Sequence, residues 1–242
     1  MNKLILLVIF SFYINSSQAQ KVNTPYIYPI KPGSEKWNSF KSIDEMYNAC
    51  LIPENFLDKL STPALIETCL NYPASTVIFI YNTPQSGFNQ WKIHFNGICE
   101  LLKRSDLQEE ILKYYSVFDA SGHKYFVNEY EKGRYTFKLS TLELIIAQND
   151  ITNKLTDSQQ KLLLKYSLDK FKIIVNDNVY GLISRTYTGR IITKMSLKLG
   201  DSNLKSKIKN LEIESFIQNG DIRNIQFLND IVEAATKINT NE

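Results

Sequence analysis

Apolar residues recur at helical spacing over most of this chain. Behind Thr83-Pro84, the positions Phe88, Trp91, Phe95, Ile98 and Leu102 alternate steps of three and four and predict one long helix with a continuous stripe. Ser105 and Gln108 read as a capping box opening a helix that turns Leu107, Ile111, Tyr115 and Phe118 inward. Ser140 and Glu143 read the same way, ahead of Leu142, Ile145 and Ile146. Thr156 and Gln159 cap a helix carrying Leu164, Leu168, Phe171 and Val175. Two closing helices follow, one with Leu204, Ile208 and Leu211, the other with Ile225, Leu228, Val232 and Ala235.

Upstream, punctuation sets the elements. Ser42-Ile43-Asp44-Glu45 is a capping box, and its helix must stop near Leu51 because Pro53 follows. Pro53 suits the first turn of a second short helix ending near Leu60. Thr62 caps a third, with Pro63 at its first position and Pro73 beyond its end. Helices this short are not stable alone and need tertiary packing. Val77-Ile78-Phe79-Ile80-Tyr81 has strand propensity, but a solitary strand has no partner in view, so the stretch is read as a buried helix. Before Ser42, the alternation of Tyr26-Ile27-Tyr28-Pro29-Ile30 and the prolines around it predict an extended arm over 20–41, docked by Trp37 and Phe40. Asp119 to Thr136, with Gly122, Gly133 and many aromatics, is the longest break.

The expected fold is therefore all-α: an irregular, helical-repeat-like array of about ten helices behind an extended arm. Residues 42–242 form one helical domain in this reading, with a possible subdivision near 119–136. Only 9 glycines and 7 prolines argue against a turn-rich sandwich or barrel.

The first nineteen residues stand apart. Lys3, an apolar run from Leu4 to Ile14 and the small residues of Ser17-Gln18-Ala19 make the three-part pattern of a secretory signal peptide cleaved before Gln20. The run is about half the ~20 residues that span a bilayer. No cysteine follows the cleavage site for a lipid anchor, so the expected product is soluble, periplasmic or extracellular.

Charge changes the picture little. The formal +3 includes Lys3 and leaves no global basis for nucleic-acid binding. Arg185, Arg190, Lys194, Lys198, Lys205, Lys207 and Lys209 make a basic stretch over 185–209 that could meet an anionic headgroup or glycan. Its simpler reading is a solvated helical face. Cys50, Cys69 and Cys99 are too few, and odd in number, for a disulfide framework; buried small hydrophobes are the simpler reading.

Candidate chemistry is sparse. His94 and His123 are the two histidines, and no zinc, Walker, Rossmann or serine-hydrolase motif occurs, so no cofactor or metal is expected. His94 and Cys99 lie about 140° apart around one helix and cannot meet as a dyad. No catalytic residue is identifiable, and the reading leans away from an enzyme.

Four segments carry a resemblance. They are Tyr28-Pro29-Ile30-Lys31-Pro32-Gly33-Ser34-Glu35-Lys36-Trp37; Cys50-Leu51-Ile52-Pro53-Glu54; Ser61-Thr62 with Glu67-Thr68-Cys69-Leu70-Asn71-Tyr72-Pro73; and Gly87-Phe88-Asn89 with Phe95-Asn96-Gly97-Ile98-Cys99-Glu100-Leu101-Leu102. Together they resemble an uncharacterised family of exported bacterial all-helical proteins, most densely from Tyr28 to about Tyr115. No activity is assigned to that family, so the resemblance implies no catalytic role. Some members continue into a second C-terminal module, and the resemblance implies that any activity housed there is absent here.

The function expected from sequence is a non-catalytic exported binding or scaffold protein. It would recognise a peptide, protein or envelope component through a groove or the aromatic loop over 119–136. The alternatives are an enzyme whose site joins carboxylates, Tyr and Lys distant in sequence, and a membrane-surface protein using the 185–209 stretch.

Overall fold

The computed structural model describes residues 21–200, 211–221 and 225–239. The signal-peptide residues, Leu204 and Ile208, and Lys205, Lys207 and Lys209 lie outside them. The fold is all-α, with thirteen α-helices and two 3₁₀ turns among the described residues.

Four short helices come first: α1 (Glu35–Asn38), α2 (Ile43–Ala49), α3 (Glu54–Leu57) and α4 (Thr62–Leu70). The expected arm thus contains a one-turn helix, because the Ser34 hydroxyl caps Trp37. Trp37 packs on the core as expected, and the tyrosines of the arm anchor it as well. Tyr26 donates its amide to Thr68 Oγ1 at 2.9 Å, and the buried Tyr28 hydroxyl donates to the Thr68 carbonyl at 3.2 Å. Ser61, one residue before the expected cap, caps α4.

The predicted long helix is broken. α5 (Pro84–His94) ends and α6 (Asn96–Leu101) begins at Phe95, whose backbone is extended. Asn96 causes the break by clamping a distant backbone: it accepts from the Ile52 amide at 3.0 Å and donates to the Ile52 carbonyl at 2.7 Å. Phe88, Trp91, Phe95, Ile98 and Leu102 are nevertheless all buried, so the apolar stripe survives the kink.

The 75–81 stretch is a 3₁₀ turn (Ser75–Ile80) with only its inner face buried. Gly87 on α5 lets the turn lie close, since a Cβ there would land on the Ile78 carbonyl. Phe79 and Ile80 are consequently pushed outward.

After α7 (Leu107–Val117), the second half of the expected break is already helical. α8 runs Glu129–Ile146, capped by Asn128. Ser140 and Glu143, read as a capping box, therefore lie inside α8 and are buried. α9 (Asn149–Thr152), α10 (Asp157–Val175) and α11 (Leu182–Lys198) follow, with the Thr156–Gln159 capping box present. α12 (Leu211–Asn219) and α13 (Ile225–Asn239) close the described chain.

α11 is the hub. It packs on α8, α10, α12 and α13. Its approach to α13 depends on Gly189, where a Cβ would meet Leu228. The helices do not meet only their sequence neighbours, because α12 also packs back on α5. One contiguous apolar core runs from Tyr28 to Ala235.

Candidate functional site

α8 and α11 lie parallel and are joined by a ladder of polar contacts at nearly constant sequence offset. The Ser140 and Ser184 hydroxyls meet at 2.8 Å, and Thr188 Oγ1 reaches Glu143 Oε2 at 2.8 Å. Further along, Lys194 donates to the Ala147 carbonyl at 2.5 Å and to Asn149 Oδ1 at 2.8 Å, and Lys198 to Asn153 Oδ1 at 3.0 Å.

Glu143 is the centre of this ladder and is wholly buried. The Tyr115 hydroxyl on α7 donates to its Oε1 at 2.7 Å and lies 3.4 Å from the Ser167 hydroxyl on α10. The Lys170 ammonium sits over the Tyr115 ring, 4.6 Å from its centre. Burial pushes the Glu143 carboxyl up to about 7, against the opposing pull of Tyr115, Thr188 and Lys170. A protonated carboxyl also solves a local count. Thr188 has one hydroxyl hydrogen and two acceptors in reach, Glu143 Oε2 and the Ser184 carbonyl at 2.9 Å. Neutral Glu143 can donate to Thr188, leaving that hydrogen for Ser184.

A carboxylate, a tyrosine and a lysine from separate helices are thus assembled as the enzyme alternative requires. Glu143, Tyr115 and Ser167 are all buried, so no substrate atom meets them in this conformation. A second such group is half-buried at the surface. Glu67 accepts from the Tyr114 hydroxyl, from Lys138 at 2.5 Å and from Asn71 at 2.9 Å. Burial raises its carboxyl, but the hydrogen bonds from Lys138 and Tyr114 outweigh this and hold it below the ordinary range.

A surface groove lies elsewhere among the described residues. A groove of about 230 Å³ separates the first two turns of α11 from the 3₁₀ turn. Leu182, Ile183, Thr186 and Tyr187 form one wall; Ile78, Phe79, Tyr81 and Pro84 form the other; Gly220 and Asp221 close one end. Its rim is apolar and in water: Leu182 is 55% exposed and the neighbouring Ile80 62%. The Tyr187 hydroxyl has no hydrogen-bond partner among the described residues.

The basic stretch is not a uniformly solvated face. Arg190 is 1% exposed and Lys194 is also buried. Both cations cap helix C-termini, where carbonyls are left over and the dipole favours positive charge. Arg190 Nε donates to Ile217 O at 3.0 Å and Nη2 to Gln218 O at 2.7 Å, in the last turn of α12, while Nη2 also reaches Gln85 Oε1 at 2.8 Å. Nη1 is buried without a partner. Burial lowers Arg190 to about 10 and Lys194 to about 7, the latter aided by the nearby Arg190 and Lys198 charges.

The first half of the 119–136 segment is pinned down. Tyr180 donates to the Ala120 carbonyl at 2.5 Å, Tyr135 to the Asp119 carbonyl at 2.7 Å, and buried His123 places Nε2 3.1 Å from Asp177 Oδ2. Its outer edge exposes Tyr125, Val127 and Tyr130. His94 stacks on Tyr47 with centroids 4.4 Å apart, and Cys99 donates to the Lys92 carbonyl, so the two face different partners. Cys50, Cys69 and Cys99 are all free, the first two buried. Among the described residues no three of His, Cys, Asp and Glu converge as metal ligands, and no helix is long and apolar enough to cross a membrane.

Sequence reasoning missed the polar ladder, since its offset of some 45 residues has no local signature. It also missed the groove, whose walls come from three separated segments. No family model, curated protein or solved structure matches the chain.

Proposed function

We propose that this is an exported, non-catalytic binding protein that holds an apolar segment of a peptide, protein or envelope component in the groove between α11 and the 3₁₀ turn. The observation that carries this reading is the groove's rim. Phe79, Ile80, Leu182 and Ile183 remain exposed on a molecule whose ionisable cluster around Glu143 is buried. Leaving large apolar side chains contiguous in water is costly, and such patches commonly mark interaction sites. Export rests on the signal-peptide pattern of the first nineteen residues.

The test is a pull-down from the native envelope or culture supernatant with tagged residues 20–242, run beside a Leu182→Asp/Ile183→Asp variant. A stoichiometric partner captured by the wild type and lost in the variant supports the groove. Equal capture by both, or none by either, overturns it. The enzyme alternative draws on one observation, the half-exposed Glu67–Tyr114–Lys138 cluster. The membrane-surface alternative is weakened by the burial of Arg190 and Lys194.

A further inference from the structure

We infer that the groove selects an apolar chain ending in a carboxylate, whose charged end is bound by Nη1 of Arg190. This rests on the groove-binding reading and adds the class of ligand.

The groove follows one face of α11. Ile183, Thr186 and Tyr187 line it, and Arg190 is the next residue of that stripe, three and four positions on. From Ile183 to Arg190 is about 10 Å at 1.5 Å per residue, enough for a short apolar chain laid along the helix.

Charge and hydrogen bonding mark the far end. Arg190 and Lys194 are both buried, and neither has a carboxylate partner among the described residues. Nε and Nη2 of Arg190 are bonded to protein, while both Nη1 hydrogens lack an acceptor. Leaving such a donor unmade is expensive, and a carboxylate is its best geometric and electrostatic complement.

The approach to Nη1 runs past Gly220, the left-handed residue (φ +72°) that ends α12. The space a Cβ would occupy at Gly220 lies 3.3 Å from Nη1 and 3.3 Å from Pro84 Cβ. Gly220 and Pro84 both line the groove, so its end abuts the free guanidinium nitrogen across the one position that has no side chain. Nη1 is covered in this structure, so the ligand reaches it only by displacing the segment around Gly220 or Pro84. Asp221, the charged residue of the lining, opposes an anion held only at the rim. A small inorganic anion is therefore a poor occupant, whereas a carboxylate drawn in by its apolar chain reaches the cation.

The test titrates the purified protein with octanoate, octanol and acetate by calorimetry. Octanoate is expected to bind about tenfold tighter than octanol, a difference of about 1.4 kcal/mol, with acetate not binding. Arg190→Met removes the guanidinium but endangers α12. Gly220→Ala fills the space before Nη1 at the cost of strain at φ +72°, so its folding is checked by thermal melting; it should bring the octanoate/octanol affinity ratio to one. The acid and amide forms of a short apolar peptide separate the sources: preference for the peptide acid over octanoate points to a protein C-terminus, the reverse to an acyl chain. Equal binding of octanoate and octanol overturns the inference but leaves the groove as a binding site. Binding of neither octanoate nor the peptide acid overturns the inference, with the groove then judged by the pull-down alone.

Discussion

Two faces of α11 reverse the usual distribution of residues. Toward α8 the helix buries Ser184, Thr188 and Lys194; at its first turn, toward the groove, Leu182 and Ile183 stand in water. The inner face meets a matching set on α8 and the residues just beyond it, so Ser184, Thr188 and Lys194 each find a partner. Such a ladder works in one register only, because sliding one helix past the other leaves a carboxyl, an ammonium and several hydroxyls unpaired. The outer face has no such partner. The inner face specifies the fold, while the outer one is left for something else to cover.

The largest expected effect falls where the groove face of α11 runs into the interior, at Arg190. Arg190→Met leaves the Ile217 and Gln218 carbonyls unpaired, and should cost about 3 kcal/mol in chemical denaturation. A loss below about 1 kcal/mol would show that the guanidinium does not hold α12.

Next comes Glu143. Glu143→Ala removes the 2.7 Å acceptor of the buried Tyr115 hydroxyl and leaves a cavity, and should cost about 2 kcal/mol. Glu143→Gln should differ in its pH profile. With the folded carboxyl raised from 4.5 to about 7, the native state keeps a proton that the unfolded chain has released across that window. Stability therefore falls as pH rises from 4.5 towards 7, and Glu143→Gln should lack that slope. Lys194 gives the opposite sign. Lowered from 10.5 to about 7, it leaves the unfolded chain holding the extra proton between those values, so stability rises across that range. A wild-type profile parallel to that of Glu143→Gln between pH 4.5 and 7 would remove the carboxyl from this role.

A smaller effect tests the ladder itself. Ser140→Ala and Ser184→Ala should each cost about 1 kcal/mol, and the double variant less than their sum, because the second change removes a group already unpaired. Strict additivity would mean that the 2.8 Å contact contributes nothing to register.

The smallest effect belongs to the outer face. Leu182→Asp/Ile183→Asp should change stability by no more than about 0.5 kcal/mol, since both side chains are already in water. A large loss would mean that the rim is structural and would undo the contrast between the two faces.

Many helices were legible from local signals, although the Ser105–Gln108 box does not form and α7 starts without a side-chain cap. The capping box at Thr156–Gln159, the short helices spaced by Pro53 and Pro63, and the burial of Phe88, Trp91 and Ile98 follow from neighbouring residues. The same local grammar misread Ser140 and Glu143, which satisfy the capping-box spacing yet lie inside α8. It also ran one helix through Phe95, because the break is made by Asn96 bonding to Ile52 across 44 residues.

The all-α class and most helix positions belong to the chain's periodicity, since a buried stripe at helical spacing depends on the order of residues alone. Whether a polar residue faces water or another helix is not encoded that way. Glu143, Arg190 and Lys194 have unremarkable sequence surroundings, and each became an interior group through a partner far along the chain. Packing also left Leu182 and Ile183 outside, because a groove exists only when separate segments stop short of touching.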